Sequence, residues 1–170
     1  RLSILAELKS AIDDDQLFLV YQPKIAVDTG QVVGAEALVR WNHPTEGLVL
    51  PDDFIPLAEN TGLITPITWF VIDRALRQLR MWQDAGHDLT MAVNLSVRHL
   101  TDAGLPDRIA VALERWGVAP SRLIIEVTES ALVENITAVN QILTDLRGMG
   151  VKIHLADLGV GYSALSYLHQ

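Results

Sequence analysis

A small set of polar side chains stands where the apolar runs of this chain give out. They are Gln22 after residues 17–21, Glu36 and Arg40 within 33–41, Asn94 within 92–95, Glu126 within 123–128, and Asp157 after 151–156. A carboxylate in an apolar run is costly to bury unless it holds a cation, an arginine or a water. Glu36 alone fits a plain ion pair with a neighbouring base equally well. Gathered on one rim, however, two carboxylates, a carboxamide and a further acid would repel one another without a cation among them. All are hard oxygen donors and the chain has no cysteine, so the natural cation is Mg²⁺ or Mn²⁺, with Ca²⁺ as the other option. Arg40 beside that cation points to an anionic ligand, and phosphate is the obvious one. Cation, arginine and phosphate together suggest metal-assisted hydrolysis of a phosphodiester.

Convergence requires that the strands carrying these residues end on one side. Residues 17–22 read as a strand closed by Pro23, and the Thr29-Gly30 turn sets residues 31–41 antiparallel to it. A polar loop with Pro44, Gly47 and Pro51 follows, then a short helix through Glu59 capped by Asp52 or Asp53. Thr65-Pro66 is expected to start a long helix whose stripe is Trp69, Ile72, Leu76, Leu79 and Trp82, stopped by Gly86. Strands are expected over 89–95, 123–128 and 151–157. Between them lie a helix ending at Gly117 and another, capped by Ser130, stopped by Gly148 and Gly150. This gives about five strands. After the first pair, strand and helix alternate, the pattern of a parallel sheet of βα units. In barrels of that kind the C-terminal strand ends carry the active site.

Each polar residue has a plainer reading too. Asn94 can cap the following helix, Glu129 can be a surface acid near a helix start, and Asp157 can serve a turn. The five histidines show no metal-pair spacing and read mostly as loop or surface residues. The motif Gly159-Val160-Gly161 is too short for a phosphate-binding glycine fingerprint.

The totals bound the class. A length of 170 residues fits one domain, and 49% hydrophobic residues with a mean hydropathy of +0.24 supply a core. A net charge of -8 and a pI near 4.9 argue against binding duplex DNA or RNA. They leave room for a small phosphorylated ligand held by a local arginine or metal. Without cysteine there are no disulfides, zinc-thiolate sites, iron–sulfur clusters or thiol nucleophiles. No apolar run reaches the length of a membrane span and no signal-peptide pattern opens the chain. The expectation is a soluble cytoplasmic segment, cut from a longer parent that can itself be membrane-tethered.

The motifs resemble those of the EAL family of cyclic di-GMP phosphodiesterases, named for the triplet Glu36-Ala37-Leu38. Tyr21-Gln22-Pro23, the run 36–41, the segments 54–59 and 62–64, Val93-Asn94-Leu95-Ser96, the run 126–130 and the run 159–165 match in order and approximate spacing. The resemblance implies a (β/α)₈ TIM-like barrel whose first strand is antiparallel, here incomplete. It implies Glu36 as catalytic residue and metal ligand, with Asn94 and Glu126 as further ligands of Mg²⁺ or Mn²⁺, and Asp157 is counted with them as a metal residue. Gln22, Leu38 and Arg40 would contact cyclic di-GMP, and Glu129 would hold the loop at Gly161-Tyr162-Ser163. The family reaction opens one phosphodiester bond to give linear pGpG. Its members often dimerise and are often joined to sensor or diguanylate cyclase domains.

Two departures bear on activity. The family has paired aspartates ahead of its loop, and the first of them, a metal ligand there, is Ala156 here. Asp157 does not simply replace it, because adjacent strand residues point to opposite faces. The family's catalytic lysine and later acids would fall beyond Gln170. The expectation is therefore a phosphodiesterase domain that is inactive or impaired. The alternative is a degenerate module that binds cyclic di-GMP or a protein partner and signals without chemistry. A truncated frame without function is the plainest option.

Overall fold

The computed structural model describes residues 2–128 and 136–156. The elements run α1 (Leu2–Asp13), β1 (Leu17–Ile25), β2 (Val32–His43), β3 (Gly47–Val49), α2 (Pro51–Thr61), α3 (Ile64–Asp84), β4 (Thr90–Asn94), α4 (Leu105–Trp116), β5 (Leu123–Thr128), α5 (Ile136–Met149) and β6 (Lys152–Ala156). The sheet is ordered β1-β2-β4-β5-β6, with β3 paired to β2. β1 is antiparallel to β2, and β2, β4, β5 and β6 are mutually parallel. This is the incomplete TIM-like barrel with a reversed first strand. It has six strands among the described residues rather than about five, because the loop after Trp41 contains the small antiparallel strand β3.

Period-two alternation divides the sheet into two faces. On β2, Ala35, Ala37, Val39 and Trp41 are buried against the helices, while Glu36, Leu38 and Arg40 are half-buried on the other side. Met91 and Val93 on β4, and Leu123, Ile125 and Val127 on β5, join the same helix-facing core. The helices answer with their apolar stripes: Ile67, Val71, Ile72, Ala75, Leu76 and Leu79 on α3, and Ile109 and Leu113 on α4. Trp41 and Phe54 stack edge-on with centroids 5.8 Å apart, which fastens α2 over β2. Tyr21 meets Trp82 edge-on at 5.2 Å, which docks β1 on α3. The stripe expected on the long helix is therefore core.

Several local expectations need correction. Pro23 does not close the first strand, which continues to Ile25; β1 is the edge of the sheet, where a missing N–H is tolerated. Asp52 and Asp53 do not cap α2: Leu50 is its N-cap without a side-chain bond, and Pro51 supplies the first-turn geometry. α3 begins at Ile64, so Thr65 lies inside the helix instead of capping it. Gly148 sits within α5, and the stop is Gly150, with φ +101°. The cap assigned to Ser130 lies outside the described residues.

Candidate functional site

On the face turned away from the helices, register decides which side chains meet. Gln22 pairs with Glu36 and Lys24 with Gly34 across β1 and β2. Glu36 pairs with Ala92, and Asn94 pairs with Glu126, which in turn pairs with His154. Gly34 is required here: a Cβ on it would lie 2.3 Å from Thr90 Oγ1 and 2.9 Å from Thr90 O. Its bare backbone lets β2 and β4 close up under the acids.

The acids do converge. Lys24 Nζ donates to Glu126 Oε1 at 2.8 Å, reaching from β1 over β2 and β4 to β5. The Glu126 side chain is 3% exposed and that of Lys24 26%. Glu36 also lies close enough to Glu126 for the two carboxyls to interact. Two carboxyls in contact need a proton between them. Burial foremost, then the hydrogen bond and charge of Glu126, push the Glu36 carboxyl up to about 8, with Lys24 acting in the opposite sense. For Glu126, burial works against ionisation, but the hydrogen bonds from Glu36 and Lys24 outweigh it and hold the group below the ordinary carboxylate range. Glu36 thus carries the proton and Glu126 the charge.

Asn94 ends β4 level with Glu126 and is exposed at the rim. The helix-cap reading of Asn94 fails, because Ser96 caps the following turn by accepting from the Arg98 backbone N–H at 3.4 Å. Ser96 Oγ also donates to Glu59 Oε1 at 2.9 Å, so α2 grips the segment just after Asn94. Leu38 and Arg40 lie above Glu36 toward the rim on β2, and Gln22 lies beside Glu36. Arg40 Nη1 donates to the Val39 carbonyl at 2.9 Å, which steadies the guanidinium, and it engages no acid among the described residues. Asp157, Glu129 and the run Gly159-Val160-Gly161 lie outside the described residues.

Two side chains of this face escape a reading by strand ends. Lys24 shares the phase of Gln22, but taking Pro23 as the end of the strand hides it. His154 sits level with Glu126. Burial, and next the charge of Lys24, lower its pKa, against the pull of Glu126. Among the other histidines, His43 and His99 are core residues, 7% and 3% exposed, and are not loop or surface groups. His43 Nδ1 accepts from the backbone N–H of Thr45 and Glu46, so its Nε2–H donates to Glu7 Oε2 at 2.6 Å and ties α1 to β2. A groove of about 400 Å³ between α3 and α4 lies on the helix layer, away from the acids, and the Arg108 guanidinium stacks 3.9 Å from the Trp69 ring at its edge.

Among the described residues, no three His, Asp or Glu side chains form a ready metal cluster. What gathers is two carboxyls, Glu36 and Glu126, with the Asn94 carboxamide level with the second. This all-oxygen set suits a hard divalent cation, which would take the place of the shared proton. No helix among the described residues is long and apolar enough to cross a membrane.

Known proteins resemble this chain in sequence and fold. MucR of Pseudomonas aeruginosa, named a bifunctional diguanylate cyclase/cyclic di-GMP phosphodiesterase, is 48% identical over 169 residues, which are 99% of this chain and 25% of MucR. NbdA of the same organism, named a cyclic di-GMP phosphodiesterase, is 47% identical over 165 residues, 96% of this chain and 21% of NbdA. The chain thus spans a quarter or less of these relatives. A solved MucR phosphodiesterase structure in complex with c-di-GMP superposes with a TM-score of 0.88 at 48% identity, covering 96% of this chain and 66% of that one. The family model described as "EAL domain" matches residues 5–170, so the reversed first strand, the acid at Glu36 and the parallel strands that follow have one common explanation: the chain belongs to the EAL domain family.

Proposed function

We propose that this chain is the N-terminal part, residues 1–170, of an EAL domain whose ancestral reaction is metal-dependent hydrolysis of cyclic di-GMP to pGpG, and that the reaction is impaired here. The observation carrying the reading is the Glu36–Glu126 pair on the helix-free face, with Asn94 level with Glu126 and Arg40 nearer the rim. Glu36, Asn94 and Glu126 would hold Mg²⁺ or Mn²⁺, with Asp157 beside them. The cation, when bound, supplies Lewis-acid polarisation and makes water a better nucleophile. Glu36 would have to release its proton to serve as a ligand. Arg40 neutralises a phosphate of the dinucleotide, Gln22 and Leu38 orient it, and Glu129 steadies the loop that follows. In family order the substrate side is retained, while Ala156 brings a methyl group where the motif has a liganding carboxylate.

The same contrast favours a second reading. A domain that keeps Gln22, Leu38 and Arg40 but lacks the acid at 156 can bind cyclic di-GMP and signal without cleaving it. The test is pGpG formation by the full-length protein with Mg²⁺ or Mn²⁺, together with calorimetric titration of cyclic di-GMP with and without metal. Little or no pGpG from the natural sequence and a marked gain in A156D support the impaired-enzyme reading. Robust turnover by the natural sequence would overturn the impairment. Binding heat without turnover in either protein selects the binding module. The absence of heat in every condition leaves protein-partner signalling, as does a homodimer or sensor partner found to bind this face.

A further inference from the structure

Lys24 is the one cation seen to touch the acidic pair among the described residues, and the proposed metal site does not use it. Its ammonium sits 2.8 Å from Glu126 Oε1, on a carboxylate that is nearly inaccessible to water. The lysine crosses two intervening strands to reach it, at the level where Gly34 presents no side chain. A buried carboxylate without a counter-ion is strongly unfavourable, so this contact is a substantial part of what permits Glu126 on an otherwise apolar strand. It also occupies the oxygen that a divalent ion would seek. Two carboxylates balance one divalent ion; with the ammonium retained, the cluster carries an excess positive charge.

We propose that Lys24 is a resident counter-ion that competes with the divalent cation for Glu126, and so sets the metal affinity of this site. The inference rests on the reading of Glu36 and Glu126 as metal ligands. Metal entry then requires the Lys24 ammonium to swing off Oε1 toward the open side of the sheet. That is feasible for a four-carbon stem already a quarter exposed.

The experiment measures Mn²⁺ binding to the full-length protein by calorimetry and by electron paramagnetic resonance of free Mn²⁺. The proteins compared are the natural sequence, K24Q and K24R. Glutamine keeps a hydrogen-bond donor for Glu126 and removes the charge, which protects the fold better than methionine would, and circular dichroism is used to check that each variant is folded. The expected result is tighter Mn²⁺ binding by K24Q, by about tenfold or more, the scale of one unit charge felt over a few ångströms in a partly screened site. K24R should bind no tighter than the natural sequence. K24Q should also lose thermal stability without metal and recover more of it than the natural protein when Mn²⁺ is added. Equal or weaker Mn²⁺ binding by K24Q, with binding intact in the natural sequence, overturns the role of Lys24 and leaves the metal site standing. No saturable Mn²⁺ binding by any of the three removes the metal reading and this inference together.

Discussion

Glu36 on β2 and Glu126 on β5 interact across the strand between them, and a proton held by one of the two relieves the repulsion of a pair of carboxylates. Lys24 decides which, because it pairs with Glu126. Glu36 is left with a carboxyl that titrates at about 8 instead of its ordinary 4.5. The folded, metal-free chain therefore binds a proton that the unfolded chain has already released between those values. Stability from this group is complete below about pH 4.5 and is lost as pH rises through about 8. Thermal midpoints measured without metal should fall across that window, and E36Q should flatten the fall. A flat profile in the natural sequence would contradict the shared proton. Added Mn²⁺ should oppose the fall, since it gains affinity as the proton leaves.

Gly34 is a packing requirement of the site. An alanine there puts its Cβ against both Thr90 Oγ1 and the Thr90 carbonyl oxygen. G34A should cost about 1–3 kcal/mol in denaturant unfolding, as overpacking does. T90A removes the hydroxyl but not the carbonyl, so the double variant should recover only part of the loss. Full recovery would show that the side chain alone sets the spacing of β2 and β4.

Ser96 does two jobs with one hydroxyl. It caps the turn at Val97–Thr101 and donates to Glu59 on α2. S96A should lower stability by about 1 kcal/mol, the size of a lost cap or hydrogen bond. It should also weaken Mn²⁺ binding, because Asn94 stands two residues before it at the end of β4. A stability loss with unchanged Mn²⁺ affinity would confine Ser96 to the fold.

Arg40 is steadied by the Val39 carbonyl, and among the described residues it pairs with no acid of its own face. For cyclic di-GMP binding by the full-length protein, R40A should lose about 1.5–3 kcal/mol, a weakening of about tenfold or more. R40K should recover only part, since lysine restores the charge but not the planar fork. Calorimetry at two salt concentrations reads both effects, and unchanged affinity in R40A would take phosphate contact away from this residue.

Gln22 and Glu36 stand inside β1 and β2 rather than at their ends, whereas the alternation of βα units, the reversed first strand and the place of Asn94 and Glu126 near strand ends were legible in the linear chain. Local patterning is enough for these: period two in strands, period 3.6 in helices and turn residues between them specify which face each side chain takes. The acid of the motif and its chemical class could be read in the same way. Register across the sheet is a different kind of fact. It arises from the packing of Trp41, Phe54 and the stripes of α3 and α4, and from the bare Gly34, which let strands far apart in sequence settle at fixed offsets. Only that settled geometry brings Lys24 to Glu126, sets His154 level with it and gives Glu36 its proton. Electrostatic coupling depends on distance and burial, and neither is written in the order of the residues.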